Sequence, residues 1–139
     1  FGPLAVAPEQ VFHFTAPLLP FIGVDRYALL TRDEVAPFAW LQALNEPGLA
    51  LVVAPYAEVA GRAAPPISAA VARELGADAR DAELLVLAVV TLGATPGETT
   101  VNLLAPLYVC PATRRARQVV TEGDLVLARA PLLTVGVAV

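Results

Sequence analysis

One stretch of the chain predicts its fold most directly: Asn102-Leu-Leu-Ala-Pro-Leu-Tyr-Val-Cys-Pro-Ala-Thr-Arg-Arg-Ala-Arg-Gln-Val-Val120. It holds two apolar segments typical of β-strands, separated by a turn that begins at Pro111. Because proline cannot donate to a β ladder, Pro106 predicts a bulge or kink inside the first segment. The expected structure is a β-hairpin, with strands at 99–104 and 107–110, a turn at 111–115 and a returning strand at 116–120.

Two amide side chains, Asn102 and Gln118, interrupt these apolar strands. Burying an amide is costly unless its donors and acceptors are matched. Two alternatives follow. Either the amides form an internal hydrogen-bond network, or they lie on a surface that another molecule contacts.

Three arginines, Arg114, Arg115 and Arg117, lie at the hairpin tip and on its exit strand. A basic tip can simply be solvated, and its charge then protects the sheet edge from aggregation. The alternative is a docking point for a carboxylate or an acidic segment, since a guanidinium can bind a carboxylate through two hydrogen bonds.

Length and composition predict a single domain over residues 1–139. Of the 139 residues, 57% are apolar and only 16% are charged, so the chain needs neither a disulfide nor a metal to fold. No apolar run reaches the roughly 20 residues of a membrane-spanning helix. The net charge of −4 argues against direct nucleic-acid binding and is compatible with a basic protein partner. A lone cysteine, Cys110, cannot form an internal disulfide, and the absence of a disulfide framework favours a reducing compartment.

The rest of the chain predicts short strands and one clear helix. Ile67, Val71 and Leu75 recur at helical spacing, and Gly76 follows where helices end. Because strands outnumber helices, the expected fold is mainly β: a small antiparallel β-barrel-like single domain with one or two short helices. Further strands are expected at 11–14, 27–31, 38–44, 49–53, 84–92 and 132–139, a long loop at 57–66 and a polar connection at 78–83.

The strand at 38–44 carries a possible binding face. Alternate strand residues share a face, so Phe38, Trp40 and Gln42 are expected on the same side. One interpretation is a core face whose indole and amide find internal partners. The other is a partly exposed aromatic anchor, because Trp, Tyr and Arg are enriched at binding hot spots.

Enzymatic chemistry finds little support in the sequence. His13 and Cys110 are the candidate base and nucleophile, but His13 lies between two phenylalanines and Cys110 ends an apolar strand. A working site also needs an orienting partner and an oxyanion site, and neither is recognisable. One Cys and one His make no metal-ligand set, and no phosphate-binding glycine loop occurs.

Three segments together resemble the FliW flagellar assembly factor family. Phe38-Ala-Trp-Leu-Gln-Ala-Leu-Asn-Glu-Pro-Gly-Leu-Ala-Leu-Val-Val53 is similar to the family pattern F-x-W-L-Q-S-…-P-x-L-A-F-V-V. The segment 84–91 is similar to its L-V-L-x-I-V-T strand. The opening stretch from Asn102 to Val120 is similar to N-L-x-A-P-I-x-I-N-x-x-x-R-x-x-x-Q-x-V. The order and spacing of the segments agree over most of the chain.

The resemblance implies a small β-barrel-like protein without enzymatic activity or cofactor. Such a protein would act in the cytoplasm, binding flagellin before export and also binding CsrA, a small RNA-binding translational repressor. Antagonism of CsrA would relieve repression of flagellin translation. A monomer is expected. The candidate partner-binding residues are Phe38, Trp40, Gln42, Asn102, Arg114, Arg115, Arg117 and Gln118. The alternative hypothesis is an antiparallel β-domain that serves as a structural module or binds a small ligand in a deep apolar pocket lined by Trp40 and Tyr108.

Overall fold

Eight strands and two short α-helices lie in the part of the chain that the structure describes. The computed structural model describes residues 7–18, 21, 23–76 and 84–132. The strands are β1 (Val11–Phe14), β2 (Arg26–Thr31), β3 (Ala39–Ala43), β4 (Ala50–Pro55), β5 (Leu85–Thr91), β6 (Thr100–Cys110), β7 (Arg115–Gln118) and β8 (Ala130–Pro131). The helices are α1 (Tyr56–Ala60) and α2 (Ala69–Leu75). Apart from Leu132, the strand expected at 132–139 lies outside the described residues, as does the connection expected at 78–83.

Seven of these strands close into a barrel, which confirms the predicted fold class. The sheet runs in the order β5-β4-β3-β2-β1-β7-β6, and a further pairing of β5 with β6 closes the ring. The predicted β6–β7 hairpin is antiparallel, and so is the pair formed by β3 and β4. One seam is parallel: β1 pairs with β7, with His13 opposite Arg115. The short strand β8 adds to the side of β6.

Apolar side chains form a core inside the barrel and two more outside it. The interior core takes side chains from all seven barrel strands, including Tyr27, Leu41 and Leu107. The second core covers the outer face of β4, β5 and β6, where Tyr56 and Val59 of α1 pack. The third lies beneath α2. Strand β5 contributes to the interior and to the second core from its two faces, as expected for a central strand buried on both sides.

Strand β6 changes face at a bulge, and this is the irregularity that Pro106 predicts. On β5, Leu87 and Val89 are two residues apart, but their partners Leu107 and Asn102 on β6 are five apart. Val101 therefore packs in the second core while Leu107 packs inside the barrel, although six residues separate them. Side chains six apart in a regular strand would share a face, so the bulge allows one strand to serve two cores.

The two helices each end at a glycine in the left-handed conformation. The predicted helix is present as α2, with the Ser68 side chain accepting a hydrogen bond from the Val71 amide at its start and Gly76 at φ +73° at its end. The prediction of a long loop at 57–66 is wrong for its first residues, because α1 occupies Tyr56–Ala60. Burial of Tyr56 and Val59 stabilises this helix, whereas the Ala/Pro-rich composition of the segment favours a loop. In the described residues, no helix is long and apolar enough to cross a membrane.

Candidate interaction surface

Gln42 organises the turn between β3 and β4. Only 8% of the residue is exposed. Its Nε2 lies 3.1 Å from the carbonyl oxygens of both Ala43 and Leu49, and within 3.4 Å of those of Glu46 and Pro47. The donor group of this amide is therefore used inside the protein, as the core interpretation of the Phe38–Gln42 face expects.

The other two residues of this face, Phe38 and Trp40, are both half-buried. Ala39, Leu41 and Ala43 pack inside the barrel, so Trp40 and Gln42 project outward, as the strand alternation predicts. Phe38 precedes β3 and packs against the second core. Trp40 is half-buried and has an interaction partner. The indole thus combines internal contact with a surface that a partner can reach.

Asn102 and Gln118 meet at the bulge of β6. The Asn102 Oδ1 accepts hydrogen bonds from the Leu104 amide at 3.0 Å and from the Ala105 amide at 3.1 Å. The Gln118 Nε2 donates to the Ala105 carbonyl at 3.5 Å. Of the two alternatives that the sequence leaves open, the internal network describes these contacts.

Arg117 binds a carboxylate, but the carboxylate belongs to this chain. Its Nη1 lies 2.9 Å from Oε1 and 2.8 Å from Oε2 of Glu74 on α2. The Thr15 hydroxyl donates to the same carboxylate at 2.7 Å. The Thr15 hydrogen bond, followed by those from Arg117, lowers the pKa of Glu74. Glu74 escaped sequence analysis. A signal was present, because a carboxylate in the last turn of a helix opposes the helix dipole and calls for a partner.

Arg115 and Thr113 hold the C-terminal end of α2 on the hairpin. The Arg115 Nη1 donates to the Glu74 carbonyl at 3.2 Å, and the Thr113 hydroxyl donates to the Leu75 carbonyl at 2.5 Å. Both carbonyls belong to the last turn, where helix carbonyls lack partners within the helix. Two of the three predicted arginines therefore anchor a helix.

Arg114 differs from its two neighbours. It is exposed and adopts φ +58°, in the left-handed region that residues other than glycine rarely enter. Its backbone is tied down, since its amide donates to the Cys110 carbonyl and its carbonyl accepts from the His13 amide, both at 2.8 Å. Its guanidinium remains at the surface.

The two candidates for catalysis are in different environments. His13 is exposed, and its Nε2 lies 3.1 Å from an Asp25 carboxylate oxygen. The Cys110 side chain is fully buried in the third core with Leu75 and Tyr108. A buried thiol cannot reach a substrate. The described residues also contain no cluster of three or more His, Cys, Asp and Glu side chains that could hold a metal ion.

Tyr108, which the small-ligand hypothesis places in a pocket with Trp40, is covered by other parts of the protein. Tyr108 is 2% exposed, and its hydroxyl donates to the Pro65 carbonyl at 2.5 Å beneath the segment that leads into α2. An apolar cleft of about 390 Å³ lies elsewhere, beside Phe38, Leu92 and Leu132.

Sequence analysis also missed three exposed aliphatic residues after β7. Val120, Leu125 and Val126 are 68%, 80% and 62% exposed. Large apolar side chains at such exposure are candidates for partner contacts when they cluster. Their spacing follows no strand or helix period, so no periodic pattern indicates their exposure.

Comparisons with known proteins agree with this architecture. The family model described as FliW protein matches residues 1–132. The flagellar assembly factor FliW of Geotalea uraniireducens is 37% identical over 131 residues, covering 94% of this chain and 79% of that protein. The Geobacter sulfurreducens protein of the same name is 36% identical over 124 residues, covering 89% of this chain and 77% of that protein.

A solved structure gives the same result for the fold. A crystal structure of the flagellar assembly factor FliW matches 93% of this chain and 89% of its own, with a TM-score of 0.81 and 19% identity. The family model spans all of the described residues, and the relatives cover most of the chain at more than 30% identity. This chain belongs to the FliW protein family.

Proposed function

We propose that this chain is a flagellar assembly factor that works by binding other proteins. The observation that carries the proposal is the FliW family match over residues 1–132, together with relatives that are named flagellar assembly factors. The surface is consistent with such a role, since it presents a half-buried tryptophan and exposed arginine and aliphatic side chains.

The finer proposal names the two partners. In the cytoplasm, the chain binds flagellin before export, and it binds and antagonises the translational repressor CsrA, which relieves repression of flagellin translation. The family resemblance supports both partners. The net charge of −4 adds support for a basic, RNA-binding partner, because complementary charge speeds encounter. We further propose that the chain is a single domain over 1–139, monomeric when unbound, and without enzymatic activity.

The candidate residues divide into two groups by whether their side chains hold other parts of this chain in place. Phe38, Trp40 and Arg114 are the ones we propose for direct partner contact, because their side chains are wholly or partly at the surface. Gln42, Asn102, Arg115, Arg117 and Gln118 hold turns, the bulge and α2 in place. We propose that this second group acts mainly by shaping the surface.

Pull-down from a lysate, followed by purified-component binding, tests the proposal. The folded chain is expected to recover flagellin and CsrA, and each is then titrated separately. Recovery of neither partner by a folded bait would count decisively against the proposal. Trp40→Ala tests the aromatic contact, with circular dichroism confirming that the variant is folded.

Competition with RNA adds a thermodynamic check. If the chain weakens RNA binding by CsrA, RNA must weaken binding of the chain to CsrA by the same factor, since coupling between two sites is reciprocal. The affinity of the chain for CsrA is measured with and without RNA, and the affinity of RNA for CsrA with and without the chain; the two factors should be equal. Two different factors would contradict antagonism through coupled binding to CsrA.

A further inference from the structure

We propose that a cleft lined by His13, Arg26, Arg114 and Arg115, here called the arginine cleft, binds an acidic segment of a protein partner. The assignment rests on the proposed role of the chain in protein binding, and it specifies one surface and the chemistry that this surface recognises. The cleft has a volume of about 460 Å³, within the range of ligand sites, and Val11 and Leu44 also line it.

Strand register places three basic side chains side by side. His13 of β1 lies opposite Arg26 of β2 and opposite Arg115 of β7. All three are exposed, and their strand neighbours Tyr27 and Ala116 pack inside the barrel. The three side chains therefore form a row across three adjacent strands on the outer face of the barrel.

This arrangement is unfavourable for the protein alone. Arg26 and Arg115 flank His13 from the two neighbouring strands, and like charges brought close together on one face of a sheet repel each other. The Asp25 carboxylate lies 3.1 Å from the His13 Nε2, and the Arg115 Nη1 donates to the Glu74 carbonyl of α2. Within the described ranges, the guanidinium groups of Arg26 and Arg114 have neither a hydrogen bond nor an ion pair. Two cations thus stay uncompensated in a protein whose net charge is −4.

The backbone at Arg114 gives a second, independent argument. This residue closes the β6–β7 turn at φ +58°, where glycine or asparagine is the less strained choice. Strained residues that are not glycine concentrate at functional sites. An arginine at this position sacrifices stability while placing a guanidinium on the rim of the cleft.

Apolar and charged residues together favour a peptide as the occupant. Val11 is half-buried, and Leu44 is 41% exposed at the cleft. A phosphate ion would leave this apolar wall uncovered, whereas a peptide with alternating acidic and apolar side chains would cover it. A nucleic acid would bring a phosphate with every nucleotide and no aliphatic side chain to cover Val11 and Leu44.

Fluorescence anisotropy with a labelled, C-terminally amidated peptide of alternating aspartate and leucine tests the assignment on the full chain. We expect saturable binding that weakens as salt is raised. The double variant Arg26→Gln/Arg114→Gly should bind about ten-fold more weakly, because it loses two charge-assisted contacts. Arg114→Gly also relieves the strained φ, so its loss of binding cannot be ascribed to misfolding.

Matched controls separate the cleft from the general charge of the protein. Arg32→Gln/Arg62→Gln removes two exposed arginines elsewhere and should leave affinity within about two-fold of the parent. A peptide of alternating asparagine and leucine should not bind.

Several results would overturn the assignment. These are no binding of the acidic peptide, equal weakening in both double variants, complete displacement by millimolar inorganic phosphate, or tighter binding of a single-stranded RNA oligonucleotide. The peptide assay needs neither flagellin nor CsrA. If it fails while the pull-down succeeds, only the arginine cleft is refuted, and the proposed function stands.

Discussion

Asn102 and Gln118 hydrogen-bond to the two backbone groups of the same residue, Ala105. The Asn102 Oδ1 accepts from the Ala105 amide at 3.1 Å, and the Gln118 Nε2 donates to the Ala105 carbonyl at 3.5 Å. A bulge interrupts the strand ladder and leaves backbone groups without their regular partners. The two amides supply those partners at the place where β6 passes from the second core to the barrel interior.

Removing the Asn102 side-chain oxygen should destabilise the protein. Asn102→Ala deprives the Leu104 and Ala105 amides of their acceptor, so we expect a loss of about 1–3 kcal/mol in the free energy of unfolding. Urea denaturation measures it. Asn102→Asp is the matched control, because it keeps an acceptor in the same position and should lose less. Equal stability of the parent and Asn102→Ala would contradict the structural role of this amide.

The strands could be predicted because their signals are local. Apolar runs bounded by proline and glycine located the barrel strands within a few residues, and Pro106 marked the bulge of β6. The parallel seam between β1 and β7 could not be predicted, because its partners, His13 and Arg115, are far apart in sequence. No local pattern specifies which distant strand closes a barrel.

The candidate site was predicted less completely, since its side chains find their partners through tertiary contacts. The sequence identified the three arginines of the β6–β7 hairpin, but only the fold shows that Arg117 binds Glu74 and that Arg115 binds a helix carbonyl. Arg26 escaped notice because its position beside His13 depends on strand register. Composition alone cannot distinguish an arginine that anchors a helix from one that faces a cleft.

Stability should depend on the ionisation of Glu74. Hydrogen bonds from Thr15 and then Arg117 lower the pKa of this carboxyl below its ordinary value of 4.5. A lowered folded-state pKa stabilises the protein above the unfolded-state value, and this contribution disappears as pH falls through the folded-state value. Glu74→Gln should therefore be less stable than the parent at pH 7, by about 0.2–1 kcal/mol, because about a third of each side chain of the pair is open to solvent.

The difference between the two proteins should shrink in acid. The unfolding free energies of the parent and Glu74→Gln, measured from neutral pH down to below the lowered pKa of Glu74, give this difference at each pH. Glu58→Gln provides a control, since Glu58 is an exposed helix carboxylate with no ion pair among the described residues. A gap between parent and Glu74→Gln that stays constant over this range would exclude the ionised carboxylate as its cause.

Two buried tyrosines should respond in opposite directions to loss of their hydroxyls. Among the described residues, the Tyr27 hydroxyl is the one buried side-chain polar atom without a hydrogen-bond partner. The ring itself packs edge-on against Phe14, with centroids 5.2 Å apart. Tyr27→Phe keeps the ring and removes an unsatisfied group, so we expect unchanged stability or a gain of about 1 kcal/mol.

Tyr108→Phe is the matched comparison. It loses the hydrogen bond to the Pro65 carbonyl, and we expect it to lower the unfolding free energy by about 0.5–1.5 kcal/mol. Thermal or urea denaturation of the two variants side by side gives the sign directly. A loss on Tyr27→Phe as large as that on Tyr108→Phe would show that the Tyr27 hydroxyl has a partner in solution.

Gly76, at the end of α2, should tolerate substitution less well than Gly23 or Gly48, for two separable reasons. Its φ of +73° is unfavourable for alanine, and an added Cβ would lie 2.6 Å from the Thr113 Cγ2. Gly23 shares the first feature alone, with φ +92° and open space around it, whereas Gly48 has neither. We expect Gly48→Ala to be nearly neutral, Gly23→Ala to cost about 1 kcal/mol and Gly76→Ala to cost about 2 kcal/mol or more. If Gly76→Ala costs no more than Gly23→Ala, Thr113 gives way to the added methyl group, and the end of α2 is held less closely against the hairpin than its hydrogen bonds indicate.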